Sequence, residues 1–403
     1  MRIVITGASG SIGRPLVKDF LSRGAKLLLV GRDPDALRTL FPGSECCSYD
    51  NLAEHCQGYD GLLHLAVLNN NASESADAFL RANLGLTQTV LLAAQSASIE
   101  RFVYASTVQS LDARNQSPYA TSKRAASELV AKAEGIDTRI LHLAAVVGDR
   151  LAGKLAILDR LPPVLRKPLL ELYAAITPVT DIATVVDKCW EALLDPDCPG
   201  QQIVARDQSR NPIFAVIKRC MDLGAALVIL LPLIWLLAMI WFAVRLQSPG
   251  PGIFAQKRVG QNGEVFTCYK FRTMAQGSPN VGTHEASTTL VTPLGTFLRR
   301  TKLDELPQAF NILLNQMSLV GPRPSLPNQH AVISERQKLS VLSIKPGITG
   351  IAQINQVDMS QPELLASWDE QYVRLRSVRL DVSILLKTLI GRGNGDPMTT
   401  RDQ

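Results

Sequence analysis

The feature that most constrains this chain is one long stretch without charge. Residues 223–244 read LGAALVILLPLIWLLAMIWFAV, which is twenty-two consecutive uncharged residues. A helix of this length can cross the ~30 Å hydrocarbon core of a bilayer. Lys218 and Arg219 precede the stretch, Arg245 follows it, and Pro232 lies near its middle. The stretch therefore predicts a membrane element, with a long part of the chain before it and another after it.

Three structures could accommodate this stretch. A buried core helix is rarely so uniformly apolar. A full span would place the two flanking parts on opposite sides of the membrane, whereas a re-entrant helix would keep both on one side. The basic residues at both ends give no orientation bias, and Pro232 removes a helical hydrogen bond and can bend the helix. We therefore predict a re-entrant helix over residues 216–245 that enters one leaflet.

Composition sets broad limits on the rest of the chain. A length of 403 residues suggests two or three domains, and 46% hydrophobic with 19% charged residues excludes a disordered chain. The formal charge is +6, and residues 251–350 contain eleven Lys and Arg against five Asp and Glu. A basic surface beside a membrane element suits anionic head groups or a phosphorylated substrate. Nucleic acid is not expected as a partner, because no nucleic-acid-binding motif accompanies the charge.

Cysteine usage and the first residues indicate the compartment. The seven cysteines are scattered and show no metal-ligand spacing, which favours a reduced, cytosolic environment. The chain opens with MRIVITGASG, which runs directly into a glycine-rich motif and lacks the long apolar core of a signal peptide. We therefore expect the first part of the chain to be cytosolic.

A glycine-rich loop follows the first predicted strand, Arg2–Thr6. The motif TGASGSIG leads from this strand into an amphipathic helix, and strand, glycine loop and helix in that order are the context that a dinucleotide site requires. Glycines let the backbone approach a pyrophosphate, which then lies at the helix N-terminus. The residues predicted to bind the cofactor here are Gly7, Gly10, Ser11, Ile12 and Gly13.

The end of the second predicted strand, Lys26–Val30, bears on which dinucleotide binds. An acidic residue at this position usually binds the ribose hydroxyls of NAD, whereas an arginine favours the 2′-phosphate of NADP. Arg32 comes first and Asp33 follows it. We therefore prefer NADP and keep NAD open, as well as the alternative that Arg32 is only solvated.

A tyrosine and a lysine four residues apart provide candidate proton chemistry. Tyr119 and Lys123 lie in SPYATSK, one helical turn apart and so on the same face. A nearby ammonium favours phenolate and should lower the tyrosine pKa. Such a tyrosine can exchange a proton with a substrate oxygen while a nicotinamide exchanges hydride. The predicted strand Arg101–Ala105, followed by Ser106 and Thr107, leads towards this pair.

Residues 1 to about 205 resemble the short-chain dehydrogenase/reductase superfamily, on the side of the nucleotide-sugar epimerases and dehydratases. The resemblance implies a Rossmann-like, doubly wound parallel sheet with Tyr119 as the acid/base. It also implies that Lys123 orients the cofactor ribose and tunes Tyr119, and that Thr107 binds the substrate oxygen. Reduction, epimerisation and non-catalytic nucleotide binding all stay open. The residues that carry the resemblance are TGASGSIG, Asp60, HLA at 64–66, Asn83, Ser106, Thr107, Tyr119 and Lys123.

Two adjacent acids stand out in the second part of the chain. Asp304 and Glu305 follow Arg299, Arg300 and Lys302 in RRTKLDELPQAFNIL. Spacing alone favours an ordinary ion cluster at a helix end. A carboxylate can also act as a nucleophile, a second can hold Mg²⁺ against phosphate oxygens, and nearby arginines can neutralise phosphates.

Residues 216 to 395 resemble the monotopic phosphoglycosyl transferase (bacterial sugar transferase) family. The resemblance implies a re-entrant membrane helix, a small, mainly helical α+β domain, and transfer of a sugar phosphate through a covalent intermediate. Asp304 is the implied nucleophile and Glu305 its Mg²⁺ partner, with Asp304 as a second metal ligand. The residues implied to contact or support the phosphates are Lys270, Arg272, Arg299, Arg300 and Arg323. The motifs that match are SPGPGIFAQKRVGQNG, YKFRTM, RRTKLDELPQAFNIL, SLVGPRP and KPGITGIAQIN.

Together the two resemblances predict a bifunctional membrane enzyme. Its first domain would reduce a UDP-sugar, expected to be a 4-keto-6-deoxy-N-acetylhexosamine, and its second would transfer the sugar phosphate to undecaprenyl phosphate. Epimerisation or a scaffolding role of the first domain is the alternative. The expected location is the cytoplasmic face of the bacterial inner membrane, and a homodimer stays open. The predicted boundaries are 1–205, a linker 206–215, the re-entrant helix 216–245, the transferase domain 246–395 and a tail 396–403.

Overall fold

The computed structural model describes residues 1–68, 74–148, 153–278 and 290–390. The described chain separates into two compact units. The first comprises Met1–Lys167 and Pro178–Arg206, and the second comprises Pro168–Thr177 and the chain from Asp207 onward. Because the units are separate bodies, each is described by itself. The predicted tail 396–403 lies outside the described residues.

A seven-stranded parallel sheet forms the centre of the first unit, with the strand order β3-β2-β1-β4-β5-β6-β9. The order reverses between β1 and β4, which is the switch point where doubly wound sheets bind ligands. A short parallel pair, β7 with β8, stands apart from this sheet. The strands are β1 (Arg2–Thr6), β2 (Lys26–Val30), β3 (Glu45–Cys47), β4 (Gly61–His64), β5 (Arg101–Thr107), β6 (Asp137–Leu143), β7 (Ala145–Val147), β8 (Val179–Asp181) and β9 (Gln201–Val204).

Helices cover both faces of this sheet, because successive strand residues point to opposite faces and both sets are apolar. Ile3 and Ile5 face the core under α1 and α8, whereas Val4 faces the core under α5 and α6. The predicted doubly wound fold is thus confirmed. The helices are α1 (Gly13–Ser22), α2 (Pro34–Leu40), α3 (Leu52–His55), α4 (Ala76–Phe79), α5 (Leu86–Ser96), α6 (Pro118–Ala131), α7 (Pro163–Ile176, which continues into the second unit) and α8 (Ile182–Leu194).

The second unit is mainly helical with small pieces of sheet, as predicted. An antiparallel hairpin joins β10 and β11, and β12 pairs with β13 in parallel. Buried residues of α9, of the β10–β11 hairpin and of α12 share one hydrophobic core. The elements are α9 (Pro212–Leu230), α10 (Ile234–Gln247), β10 (Ile253–Val259), β11 (Val265–Phe271), α11 (Pro293–Thr301), α12 (Gln308–Leu313), β12 (Ser318–Val320), α13 (His330–Lys338), β13 (Gly347–Thr349), α14 (Ile351–Ile354), α15 (Pro362–Leu375) and α16 (Val378–Leu389).

The long apolar stretch forms a bent pair of helices rather than one rod. Among the described helices, none alone has the length and apolarity to cross a bilayer, but α9 and α10 together do, with a 61° bend between them. Pro232 lies at the break, as its missing N–H leads one to expect. Several large apolar side chains around the break face outward, and Trp235 is 78% exposed.

Charged residues at the start of α9 hold it to the rest of the second unit. Lys218 Nζ pairs with Asp381 Oδ2 at 2.7 Å, and Arg219 Nη1 donates to the Ile312 carbonyl at 2.8 Å. Asp222 Oδ1 accepts a hydrogen bond from Leu319 N at 2.8 Å. These charges therefore anchor the base of the bent pair through contacts within the protein.

The segment predicted as a linker, residues 206–215, makes defined contacts. Asn211 caps α9 by accepting from Phe214 N at 3.1 Å, so the helix begins at Pro212. Arg376 Nη2 donates to Ser209 Oγ at 2.8 Å and pairs with Asp207 Oδ1 at 3.2 Å. Residues 207–215 of the predicted linker are therefore part of the compact second unit.

Candidate active sites

The loop after β1 is packed so closely at Gly7 and Gly13 that a Cβ atom would not fit at either position. Gly7 has φ +74°, and a Cβ there would lie 2.7 Å from the Ala66 nitrogen. A Cβ on Gly13 would clash with the Gly7 carbonyl oxygen, while Gly10 N donates to that same oxygen at 3.1 Å. Ser11 is exposed, and no side chain caps α1 at Ile12. Arg14 N donates to the Gly10 carbonyl at 3.1 Å and Pro15 has no N–H, which leaves Gly13 as the first-turn N–H of α1 that can meet an anion.

The two candidates at the end of β2 differ in what they do. Asp33 Oδ1 accepts from Ala36 N at 3.0 Å and so caps α2. Arg32 is exposed. Asp33 thus has a structural role as the helix cap. Of the two residues, Arg32 is therefore better placed to contact a substituent of the cofactor ribose.

The structure brings Thr107, Tyr119 and Lys123 together where β5 ends and α6 begins. The Thr107 hydroxyl interacts with the Tyr119 phenol, and Lys123 Nζ donates to the Ala105 carbonyl at 2.7 Å. Burial raises the pKa of Tyr119, and the hydrogen bond with Thr107 only partly opposes this. The expected lowering of the Tyr119 pKa by Lys123 is therefore wrong for this arrangement. Burial also lowers the pKa of Lys123 itself, to about 7.

The sequence analysis did not predict a row of buried, hydrogen-bonded polar side chains behind Lys123. Lys123 Nζ donates to Tyr104 Oη at 3.1 Å, and Tyr104 interacts in turn with Thr87. Thr87 Oγ1 lies 3.0 Å from His64 Nε2, and His64 Nδ1 lies 2.6 Å from Thr6 Oγ1. Burial lowers the pKa of His64 to about 3, so the ring is neutral. The chain runs across β1, β4 and β5, where Thr6, His64 and Tyr104 are register partners.

Glycine at position 13 should be essential for cofactor binding. Gly13→Ala places a methyl group against the Gly7 carbonyl, which should destabilise the loop by about 1–3 kcal/mol and weaken NAD(P)H binding ~10-fold or more. Gly85→Ala is the matched control, because nothing lies within 4 Å of its added Cβ and its effect should stay below ~1 kcal/mol. Fluorescence titration of NAD(P)H with the full chain measures both. Equal affinities would contradict the assignment of this loop.

Asp304 and Glu305 lie in a one-turn helix, Leu303–Glu305, directly after α11. Glu305 Oε1 pairs with Lys270 Nζ at 2.7 Å and with Arg323 Nη2 at 3.2 Å. The structure thus assembles four of the predicted site residues from β11, the turn and the loop after β12. The Glu305 carboxylate also lies close enough to Asp304 to raise the pKa of that carboxyl group.

The two carboxyl groups are driven in opposite directions. Burial and the neighbouring Glu305 raise the pKa of Asp304, against the influence of Lys270, Arg323 and Arg299. Burial acts to raise the pKa of Glu305 as well, but Lys270 and Arg323 together hold it below its usual value. Pairs of acids whose environments separate their pKa values are typical of catalytic sites.

The remaining residues predicted to contact phosphate differ in how close they lie to the acidic pair. Arg299 lies within electrostatic reach of Asp304 and donates from Nε to Thr273 Oγ1 at 2.9 Å, whereas Arg300 is exposed. The Arg272 guanidinium binds the backbone carbonyls of Val244, Ser248 and Pro249 at the end of α10, so its role at the phosphates stays a prediction. Since β11 ends at Phe271, Arg272 does not continue the alternation that aims Lys270 at the site.

Two protein families divide this chain between them. The family described as "NAD dependent epimerase/dehydratase family" matches residues 3–181. The family described as "Bacterial sugar transferase" matches residues 213–392. The chain thus combines a region similar to the epimerase/dehydratase family, here called the epimerase/dehydratase domain, with a region similar to the bacterial sugar transferase family, here called the sugar transferase domain. Each family model matches a little less than half of the chain, and the two do not overlap.

Curated relatives match the bacterial sugar transferase domain. The chain is 39% identical over 197 residues to "UDP-glucose:undecaprenyl-phosphate glucose-1-phosphate transferase" of Escherichia coli (strain K12), which covers 45% of this chain and 41% of the relative. It is 37% identical over 190 residues to "UDP-N-acetylgalactosamine-undecaprenyl-phosphate N-acetylgalactosaminephosphotransferase" of Aeromonas hydrophila, which covers 44% of each. The chain thus spans about two fifths of the length of the curated relatives it matches.

Solved structures resemble about half of this chain at lower identity. "MoeE5 in complex with UDP-glucose and NAD" is 20% identical, covers 50% of this chain and 75% of that one, and has a TM-score of 0.40. The Bordetella bronchiseptica enzyme WbmG in complex with NAD and UDP is 18% identical, covers 51% of this chain and 72% of that one, and has a TM-score of 0.41.

The sugar transferase domain holds a limited set of ligands for a metal ion. Within the ranges that the structure describes, no group of three or more His, Cys, Asp or Glu is arranged around a common point. Mg²⁺ is, however, commonly held by one or two carboxylates together with substrate phosphates. Asp304 and Glu305 fit that smaller role, although Glu305 Oε1 already faces Lys270 and Arg323.

Proposed function

We propose that the sugar transferase domain moves a sugar-1-phosphate from a UDP-sugar to undecaprenyl phosphate. The observation that carries this is the assembly of two partly buried carboxyl groups with Lys270, Arg299 and Arg323. Three cations against two carboxylates leave a positive balance, which suits an anionic diphosphate. The names of the curated relatives point to the same donor and acceptor classes.

The proposed reaction proceeds through a covalent intermediate on Asp304. A carboxylate oxygen attacks the β-phosphorus of the UDP-sugar, the bond from that phosphorus to the bridging oxygen breaks, and UMP leaves with the electron pair. A phosphate oxygen of undecaprenyl phosphate then attacks the same phosphorus and releases the Asp304 carboxylate. Lys270, Arg299 and Arg323 neutralise the charge on the phosphate oxygens. Asp304 and Glu305 would hold Mg²⁺, which would further neutralise the diphosphate.

The bent pair of α9 and α10 is the proposed membrane element. Its break at Pro232, its 61° bend and its outward-facing apolar side chains support insertion into one leaflet. Both proposed nucleotide substrates are cytosolic, so we place the protein on the cytoplasmic face of the bacterial inner membrane. There the acceptor's phosphate lies at the interface, within reach of a site at the base of the helices.

For the epimerase/dehydratase domain, we propose reduction of a UDP-4-keto-6-deoxy-N-acetylhexosamine with NADPH or NADH. A nicotinamide cofactor, when bound, would supply the hydride for C4. Tyr119 donates its proton to the developing O4 alkoxide, and its raised pKa suits it to be protonated before this step. Thr107 orients the same oxygen, and Lys123 holds the ribose. The meeting of Thr107, Tyr119 and Lys123 at the carboxyl end of β5 supports this proposal.

A donor panel tests the transferase proposal. The full chain in nanodiscs is mixed with Mg²⁺ and one UDP-sugar at a time, without acceptor, and UMP and intact protein mass are measured. We expect one UMP per chain and a matching phosphosugar adduct with the correct donor, followed by turnover when undecaprenyl phosphate is added. UMP release without any adduct would contradict the covalent route, and no release from any donor would contradict the proposed activity.

The pKa of Asp304 predicts how adduct formation depends on pH. The attacking form is the carboxylate, and its raised pKa means that the reactive fraction falls while the pH is still above the range of an ordinary aspartate, ~3.9. Because Arg323 favours the carboxylate, Arg323→Gln should move the acid limb of the burst rate to still higher pH. Glu305, Lys270 and Arg299 face the same group and are unchanged in this variant. A limb near the ordinary value, or one that Arg323→Gln leaves in place, would contradict this assignment.

A further inference from the structure

The backbone carbonyl groups of the loop that carries Arg323 need hydrogen-bond donors from outside the loop. Arg323 stands between Pro322 and Pro324, and we call these three residues the Pro-Arg-Pro loop. Proline has no backbone N–H, so the loop cannot satisfy its own carbonyl groups by pairing with itself. A buried carbonyl without a donor is costly, so donors must come from elsewhere.

Every carbonyl of the Pro-Arg-Pro loop has a donor from a distant part of the second unit. The Pro322 carbonyl accepts from Gly347 N at 2.9 Å. The Arg323 carbonyl accepts from Arg336 Nη1 at 2.8 Å, and the Pro324 carbonyl accepts from Arg258 Nη1 at 2.9 Å. Two of the three donors are therefore arginine side chains, which reach the loop from α13 and from β10.

Both arginines are themselves held in place by buried partners. Arg336 donates from Nη2 and Nε to Asp369 Oδ2 at 2.7 and 3.0 Å, and both side chains are 2% exposed. Arg258 donates from Nη2 and Nε to Gln256 Oε1 at 2.6 and 2.9 Å, and Arg258 is 7% exposed. A planar guanidinium held on one edge presents its remaining nitrogen in a fixed direction.

The loop in turn aims the Arg323 side chain at Glu305, where Nη2 lies 3.2 Å from Oε1. The chain of contacts thus runs from Asp369 and Gln256, through the two arginines and the loop backbone, to the acidic pair. Arg258 also lines the small pocket beside Lys270 and Glu305.

We propose that Arg258 and Arg336 are positioning residues of the transferase reaction, acting through Arg323. This inference rests on the proposed transferase function. The two guanidinium groups fix the backbone on either side of the Arg323 side chain, so that Arg323 meets the phosphate and Glu305 in one orientation. A shift of about 1 Å in such a group can cost about 100-fold in rate.

A double-mutant cycle on Arg258 and Arg323 tests the proposal, with the UMP burst of the full chain in nanodiscs as the readout. Arg258→Lys keeps the charge but loses the planar fork, and it should slow the burst ~10- to 100-fold at saturating donor. Arg323→Gln should slow it at least as much. If Arg258 acts through Arg323, the double variant should be no slower than Arg323→Gln alone. Lys257→Gln, a change at the exposed neighbour of Arg258 on β10, is the matched control and should leave the rate unchanged.

Each other outcome overturns the proposal in a recognisable way. Multiplying losses in the double variant would show that Arg258 acts independently of Arg323, and an unchanged Arg258→Lys burst would show no positioning role. A wild-type chain without any burst would instead remove the transferase function on which the inference rests. If Arg258→Lys lowers the melting temperature, Gln256→Ala gives a second cycle, because it releases the guanidinium without removing it and should reproduce a smaller, equally non-additive loss.

Discussion

Asp304→Asn should abolish the UMP burst and the phosphosugar adduct, with a loss of at least ~10³-fold. An amide has no carboxylate oxygen to attack the β-phosphorus, so the covalent step cannot begin. The change keeps the size of the side chain and removes one acid from a site rich in cations. The fold should therefore survive, and UDP-sugar binding should persist. Intact mass and UMP release measure the first effect, and donor binding by calorimetry measures the second.

Two further variants are compared with Asp304→Asn. Asp358→Asn changes an aspartate whose Oδ1 caps a turn by accepting from Ser360 N at 2.8 Å, and it should leave the burst intact. Glu305→Gln should slow the burst and also destabilise the unit, because Lys270 and Arg323 would lose their partly buried, charged partner. A normal adduct in Asp304→Asn would rule out Asp304 as the nucleophile.

Tyr119→Phe should remove reduction of the UDP-keto-sugar while sparing sugar-phosphate transfer. Loss of a general acid typically costs 10²- to 10⁴-fold, and we expect a loss of about that size in NAD(P)H oxidation. Cofactor affinity should change little, because the cofactor contacts expected of the glycine loop and Lys123 remain. NAD(P)H oxidation and the UMP burst are measured on the same preparation.

Tyr59→Phe is the matched control for the tyrosine. Its hydroxyl donates to Glu45 Oε2 at 2.8 Å, near the amino ends of the strands and away from the glycine loop. Reduction should continue in this variant. Undiminished reduction by Tyr119→Phe would exclude the proton-transfer role, and a wild-type domain that binds NAD(P)H but turns over no UDP-sugar would favour the scaffold alternative.

The elements that the sequence predicts best are those specified locally. The strand Arg2–Thr6, the glycine loop and the helix from Gly13 follow from residues within about fifteen positions of each other. The break at Pro232 follows from one missing N–H. The placement of Tyr119 and Lys123 one turn apart on α6 follows from helical spacing. In each case the short-range pattern agrees with the fold that forms.

The rest depends on contacts between residues far apart in the chain. Arg336 reaches Arg323 only because Asp369 holds it, and nothing in the local sequence of α13 indicates this. Arg272 follows Lys270 by two residues, yet it turns to the carbonyls at the end of α10 once β11 has ended. The raised pKa of Tyr119 depends on how deeply the fold buries it. Burial depth and tertiary partners are set by the whole fold, so the sequence pattern alone could not predict them.

The mass of the sugar that reaches the lipid tests most directly whether the two domains act in sequence. The full chain in nanodiscs is given a UDP-4-keto-6-deoxy-N-acetylhexosamine, NADPH and undecaprenyl phosphate, and the lipid product is measured by mass spectrometry. We predict a lipid-linked sugar two hydrogens heavier than the keto sugar with the wild-type chain, and at least ~100-fold slower formation of this product with Tyr119→Phe. A lipid that carries only the unreduced sugar, or the reduced product formed by Tyr119→Phe at the wild-type rate, would contradict the proposed sequence of reactions.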